Sequence, residues 1–176
     1  MGTELGGQVG RLARARAALL KAEAAQGLRT VGEKALRTTA LPAGVYHVGK
    51  GGPASVELMV SALAAACGDG QWIALVGFPD VGWEAATRMG LDVNRVVTVP
   101  KVGDQIGKTL GILVEGFDVV AVGDFWLPNQ VKKALVGRVR AVGCVLLTAA
   151  HWAGFSHPLP QLRNEGVARL EREMVG

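Results

Sequence analysis

From Gly44 onward the chain alternates short apolar runs with longer segments of mixed character. GVYHVG (44–49), WIALVG (72–77), VVTVP (96–100), FDVVAVG (117–123) and CVLLTAA (144–150) are rich in β-branched residues and almost free of polar positions. Strands covered by helices on both faces have this composition. The intervening segments predict helices over 53–67, 80–89, 104–115 and 128–141. Asp80 suits an N-cap, Gly90 a left-handed helix stop, and Pro128 the first turn of its helix. Strands alternating with helices of roughly 10–15 residues imply βαβ crossovers, hence an α/β fold with a mostly parallel sheet of five or more strands.

The flanks read differently. Residues 4–26 predict a helix interrupted early by Gly6, Gly7 and Gly10, with Leu5, Val9, Leu12, Leu19 and Leu20 near one stripe and Arg11, Arg14, Arg16 and Lys21 over much of the rest. Gly27 is its expected stop, and 28–43 a linker ending around Pro42. Beyond the fifth strand, LRNEGVARLEREMVG predicts a charged helix with Leu162, Val167, Leu170 and Met174 at helical spacing. The expected organisation is therefore an N-terminal helix and linker (1–40), a core (41–150) and a C-terminal loop and helix (151–176).

Composition narrows the class. The 176 residues are 49% hydrophobic and only 5% aromatic, with 25 glycines, so Val, Leu, Ala and Ile must build one domain-sized core. A net charge of +4 permits contact with nucleic acid without indicating it. Cys67 and Cys144 both stand in apolar segments and form no CxxC or Cys/His cluster, which reads as two reduced core thiols. The N-terminus lacks the order of a signal peptide, and no apolar run nears the ~20 residues of a membrane helix. A soluble cytoplasmic protein without membrane attachment is expected.

The first strand, its glycine-rich turn and the next helix stand where a P-loop would. A working loop reads GxxxxGK[ST]: amides cradle the phosphates, the Lys reaches them and the hydroxyl holds magnesium. Here the stretch is Gly49-Lys50-Gly51-Gly52-Pro53-Ala54-Ser55-Val56, so Ala54 replaces the second Gly, Ser55 the Lys, and Val56 the hydroxyl residue. Pro53 also removes an amide donor. Two readings follow: a turn that only joins strand to helix, which the substitutions favour, or a residual anion site at Lys50 and the glycines.

Other candidate chemistry is thin. His47, His151 and His157 are far apart in sequence, and His47 reads as a satisfied sheet residue. Ser156-His157 are adjacent and lack a nucleophile elbow, so hydrolysis is not favoured. Asp80 and Glu84, four apart, suit a cap and a first-turn dipole partner better than magnesium ligands. No cofactor or metal is expected. Trp72 reads as core. Trp126 and Trp152 follow the fourth and fifth strands and, with Phe125 and Phe155, either form an apolar partner patch or seal the sheet. Basic residues gather on the N-terminal helix (Arg11, Arg14, Arg16) and on the helix before the last strand (Lys132, Lys133, Arg138, Arg140). They are the nucleic-acid candidates, with a solvated basic face as the alternative.

GFPDVGWEAATRMGLDVNRVVTVPKVGDQ (77–105), followed by FDVVAVGD (117–124), resembles bacterial RecA from its second core strand to Walker B. The pattern W-x-A-x-V-G-x-P-D-x-G-x-E-A-A with a downstream G-(L/V)-D-x-x-R-x-V-x-V-P is closer still to actinobacterial ImuA-type proteins, over about residues 41–150. The resemblance implies a RecA-like core. Phe78 and Pro79 stand where RecA has its catalytic Glu, and Gly123 where it has the Walker B Asp; Asp124 lies one residue later, a shift that turns a strand side chain to the other face. It implies a non-catalytic adaptor in DNA-damage-induced translesion synthesis that binds ImuB, an inactive Y-family polymerase, and works with an error-prone C-family polymerase. By the same analogy the N-terminal helix, through Leu12, Leu19 and Leu20, docks on a second copy, on RecA or on a partner. The alternatives are a DNA- or nucleotide-binding recombination accessory and an SOS-type cell-division inhibitor. The loops after the fourth and fifth strands, which in RecA meet DNA, are short here and carry no basic residue.

Overall fold

A computed structural model of the chain describes residues 40–49, 52–68 and 70–160. Six strands form one all-parallel sheet in the order β3-β2-β4-β5-β1-β6. They are β1 (Gly44–His47), β2 (Ile73–Val76), β3 (Val96–Val99), β4 (Val119–Val122), β5 (Val145–Thr148) and β6 (His157–Pro158). Four α-helices connect them: α1 (Val56–Ala66), α2 (Trp83–Arg88), α3 (Ile106–Gly116) and α4 (Asn129–Val142), with a 3-10 turn at Val93–Arg95. This is an α/β architecture consistent with a RecA-like core.

The period of two along each strand divides the core into two layers. Ile73, Leu75, Val119, Ala121, Val145 and Leu147 face one layer with Met59 and Leu63 of α1. Val45, Ala74, Val76, Val120, Val122 and Leu146 face the other with Leu110 and Val114 of α3 and Leu135 and Val139 of α4. Every residue of β2, β4 and β5 is buried, which explains their uninterrupted apolar character. The edge strand β3 is half covered, with Val97 and Thr98 exposed.

Helix boundaries fall close to the sequence expectation, with two corrections. Asp80 is not an N-cap: Gly82 holds that position with φ −74° and ψ 86°, so the chain turns helical only at Trp83, and no side chain caps α2. Pro128 is the N-cap of α4 (φ −58°, ψ 145°), one position ahead of the first turn. Gly90 does close α2 in the left-handed region, at φ +92°. Trp72 is only half-buried, ahead of β2, where Arg95 lies 5.6 Å from its ring centre. The strand β6 has no counterpart in the sequence expectation. It exists because Leu159 N–H donates to the His47 carbonyl (3.0 Å) and the segment pairs beside Tyr46 and His47.

Two polar devices hold the strand ends. Asp118, at the head of β4, is buried, and its Oδ2 accepts from the Trp72 amide at 2.7 Å while its own N–H donates to the Trp72 carbonyl at 3.0 Å. Its carboxylate helps burial push the Cys67 thiol up to about 12, burial being the larger cause. Cys67 is half-buried and Cys144 buried, and the two are not joined in a disulfide. At the other end of the sheet, Ser156 Oγ meets His47 Nδ1 at 3.0 Å and accepts from the Trp152 amide at 2.9 Å, tying the β5–β6 connection to β1. The His47 and His151 rings lie 4.5 Å apart.

Two outcomes are expected. Asp118→Leu removes the carboxyl acceptor from the half-buried Trp72 amide and lowers unfolding stability by about 1–3 kcal/mol, read as a lower urea midpoint; Asp118→Asn loses less. An unchanged midpoint in the Leu variant would rule out the carboxylate as a strut. Desolvation, then His151 and His157, lower the His47 pKa. The folded state therefore resists protonation of a ring that the unfolded chain protonates at about 6.5, so stability is full above that pH and declines as pH falls through the lowered value. Thermal unfolding followed from pH 7.5 to 5 is expected to show this decline, flattened in His47→Gln.

Candidate functional site

In open parallel α/β sheets, ligands and partners meet the carboxyl ends of the strands. At the end of β1, a Cβ at Gly49 would collide with the Gly52 carbonyl and stand 2.9 Å from the Ala149 carbonyl, so only glycine fits. The Ala54 amide donates to that same Ala149 carbonyl at 2.9 Å. Ser55, the residue in the place of the P-loop Lys, is the N-cap of α1 and accepts from the Leu58 amide at 3.3 Å. Glu57 places a carboxylate in the first turn, its pKa lowered first by its own backbone amide and then by Ser55. Thus one amide of the turn is spent on β5, another position is proline, and the helix terminus already holds its own hydroxyl and carboxylate. Lys50 and Gly51 lie outside the described residues.

The ends of β2 and β4 are filled by packing. Phe78, in the place of a catalytic Glu, is buried in the first core layer, and Pro79 beside it is exposed. Gly123, in the place of the Walker B Asp, donates to the Val76 carbonyl at 2.9 Å, and a Cβ there would stand 3.1 Å from the Gly77 carbonyl. Gly77 has φ +78°, and the Phe125 ring occupies the space its side chain would take. Asp124 is exposed. Glu84 pairs with Arg88 at 3.4 Å on the surface of α2, and Asp80 lies outside that helix, so the two do not share the helix face their spacing suggested. Among the described residues no cluster of three His, Cys, Asp or Glu side chains could hold a metal ion.

The aromatic candidates divide. Trp152 is buried (3% exposed) in the second core layer, with Lys132 Nζ 5.7 Å from its ring centre, so it seals the sheet and is no surface anchor. Phe155 is half-buried against the same layer. Trp126 is 83% exposed, and Phe125, the residue before it, is half-buried. Both line a groove of about 990 Å³ between the N-terminal halves of α3 and α4, open at the loops that follow β3 and β4. Ile106, Leu127, Val131 and Leu135 form its apolar floor, and Lys108, Arg138 and Asp104 its charged rim.

The floor residues escaped the sequence reading because the groove depends on how closely α3 meets α4. The available signal was Gly107 and Gly111, four apart on α3: a Cβ at Gly107 would stand 2.7 Å from a Val131 methyl, and one at Gly111 would meet the Arg138 guanidinium. The basic candidates Lys132, Lys133, Arg138 and Arg140 all fall on α4, and Arg138 meets Glu115 of α3 at 3.3 Å. Leu12, Leu19, Leu20, Arg11, Arg14 and Arg16, together with both terminal helices, lie outside the described residues. No helix of the described residues is long and apolar enough to cross a membrane.

Residues 33–154 match the family model of the MT3502 N-terminal domain. The chain is also 34% identical over 119 residues to "Uncharacterized protein Rv3395c" of Mycobacterium tuberculosis, an alignment that takes in 66% of this chain and 57% of that protein. The chain thus spans a little over half the length of that relative. The family match runs across β1 to β5 and all four helices, so both core layers and the groove fall inside it: the chain belongs to the MT3502 N-terminal domain family.

Proposed function

We propose that this chain is a non-catalytic, RecA-like adaptor of the ImuA type, acting in DNA-damage-induced translesion synthesis. In this reading it holds an inactive Y-family polymerase of the ImuB type and, through it, an error-prone C-family polymerase. One observation carries the reading: along a single sheet edge, the positions of phosphate chemistry are taken by packing and capping groups (Ala54, Ser55, Phe78, Gly123), while Trp126 beside them stands bare. The motifs of residues 77–124 support the choice of family. A relative from a mycobacterium fits an actinobacterial system.

The cationic face of α4 favours a second reading, a DNA-binding accessory protein. Its mark is an affinity that falls steeply with salt, because phosphate contacts release counterions.

With Mg-ATP or Mg-ADP at millimolar concentration, the purified protein is expected to give no calorimetric heat and no thermal stabilisation; a nucleotide present at 100 times its Kd would add about 2.7 kcal/mol. Co-expressed with the inactive Y-family polymerase encoded in the same genome, the chain is expected to co-purify with it in nucleotide-free buffer. Clear stabilisation by ATP, or association only when ATP is present, overturns the adaptor reading. So does a failure to retain the polymerase under any condition. Binding to oligonucleotides that weakens steeply with salt transfers support to the second reading.

A further inference from the structure

We infer that the groove between α3 and α4 is covered by this chain's own C-terminal segment, residues 161–176, whose apolar stripe lies on the groove floor and over Trp126. The inference does not depend on the adaptor reading. It bears on that reading in one way: a partner that uses Trp126 must first displace the segment.

The groove and the segment have matching needs. Ile106, Leu127 and Leu135 of the floor belong to the second core layer, Phe125 and Val131 pack against that layer, and Trp126 at the mouth is 83% exposed. In the segment, Val167, Leu170 and Met174 fall at i, i+3 and i+7, one stripe of a helix that also carries Arg169, Glu171, Arg172 and Glu173. So short a helix is held by packing its stripe on another apolar surface, since propensity alone does not sustain it.

Reach and direction select this segment. β6 ends at the carboxyl edge of the sheet, where Leu159 N–H meets the His47 carbonyl, and Pro160 is exposed there. The groove opens at the same edge, beside the loop after β4, three places along in the order β4-β5-β1-β6. Neighbouring strands stand about 4.8 Å apart, so the sideways distance is about 14 Å. Residues 161–166 span up to ~20 Å when extended, which leaves 167–176 for a helix of ~15 Å along the groove. The N-terminal segment arrives elsewhere. Ala40 N–H donates to the Ala66 carbonyl at the end of α1, and Leu41 is buried in the first layer, so that segment joins at the amino edge and on the other face of the sheet.

Charge adds no repulsion. The mouth carries both signs, Asp104, Asp124 and Lys108, with Arg138 already paired to Glu115. The segment is balanced too, with Arg163, Arg169 and Arg172 against Glu165, Glu171 and Glu173. A strongly acidic or strongly basic occupant would set like charges together at this mouth. Tethering decides the competition, because an attached segment presents itself at about millimolar effective concentration.

The test uses the full chain and isolates Trp126 as the difference between a protein and the same protein carrying Trp126→Phe. In the parent chain that signal is expected to be blue-shifted and slow to quench with acrylamide, as for a covered ring. Leu170→Asp and Leu170→Asp/Met174→Asp are each expected to shift it to the red and to raise its quenching several-fold. Trp83 on α2, isolated in the same way through Trp83→Phe, is expected to stay unchanged, which shows that the core remains folded. Leu19→Asp and dilution of the parent protein are expected to leave the Trp126 signal as it is. A Trp126 as quenchable in the parent chain as free tryptophan overturns the inference. So does protection that survives Leu170→Asp/Met174→Asp; if Leu19→Asp removes it instead, the groove belongs to the N-terminal segment. Protection that falls on dilution assigns the groove to a second copy and overturns the inference as well.

Discussion

The central strands β2, β4 and β5, four residues each and buried on both faces, leave the middle of this sheet no exposed surface of its own. β2 and β4 give every side chain to one of two apolar layers, and β5 gives all but Thr148, whose hydroxyl donates to the Ala150 carbonyl. Chemistry and recognition are thereby confined to the strand ends and to the outer helices. At Gly107, α3 approaches α4 so closely that a Cβ would stand 2.7 Å from a Val131 methyl. The groove is lined by the two helices together with the loops after β3 and β4.

At the strand ends the fold has spent its polar capacity on itself. Ser55 caps α1, the Ala54 amide bonds to β5, and Ser156 locks His47 to the turn at Trp152. Each is a backbone or ring group satisfied locally, as buried and half-buried polar groups must be. A phosphate cradle needs the reverse, amides left unpaired and aimed at a common point. The exposed apolar surface follows a separate logic: Phe125 covers Gly77, and the same short loop carries Trp126 outward.

The strands and their parallel order were legible because both-face burial leaves a strong mark on composition: Ile73 to Val76 and Val119 to Val122 contain no polar residue. The helices were legible to within a few residues for the same reason. β6 was not, because His157-Pro158 has no apolar pattern and exists only through pairing with β1. The Asp80 cap was misplaced because Gly82 delays the helix by a turn of extended chain. Trp126 and Trp152 look alike in sequence, each just past a strand, yet one is bare and the other enclosed; only the position of α4 separates them. The groove itself was illegible, since its walls come from four segments that meet in space alone.

The contact between Gly77, Gly123 and Phe125 also bears on how such a chain could change over time. An acidic side chain at position 123 would press on the Gly77 carbonyl at 3.1 Å and on the Phe125 ring at 3.5 Å. A residue with a Cβ at position 77 would collide with that ring in a backbone conformation suited to glycine. Removing Phe125 would relieve the collision at 77 and leave the one at 123, because the latter is with a backbone carbonyl. Neither position can gain a side chain by one substitution without a shift of backbone or ring, so the loop couples the two glycines and the packing acts as a ratchet against change at either.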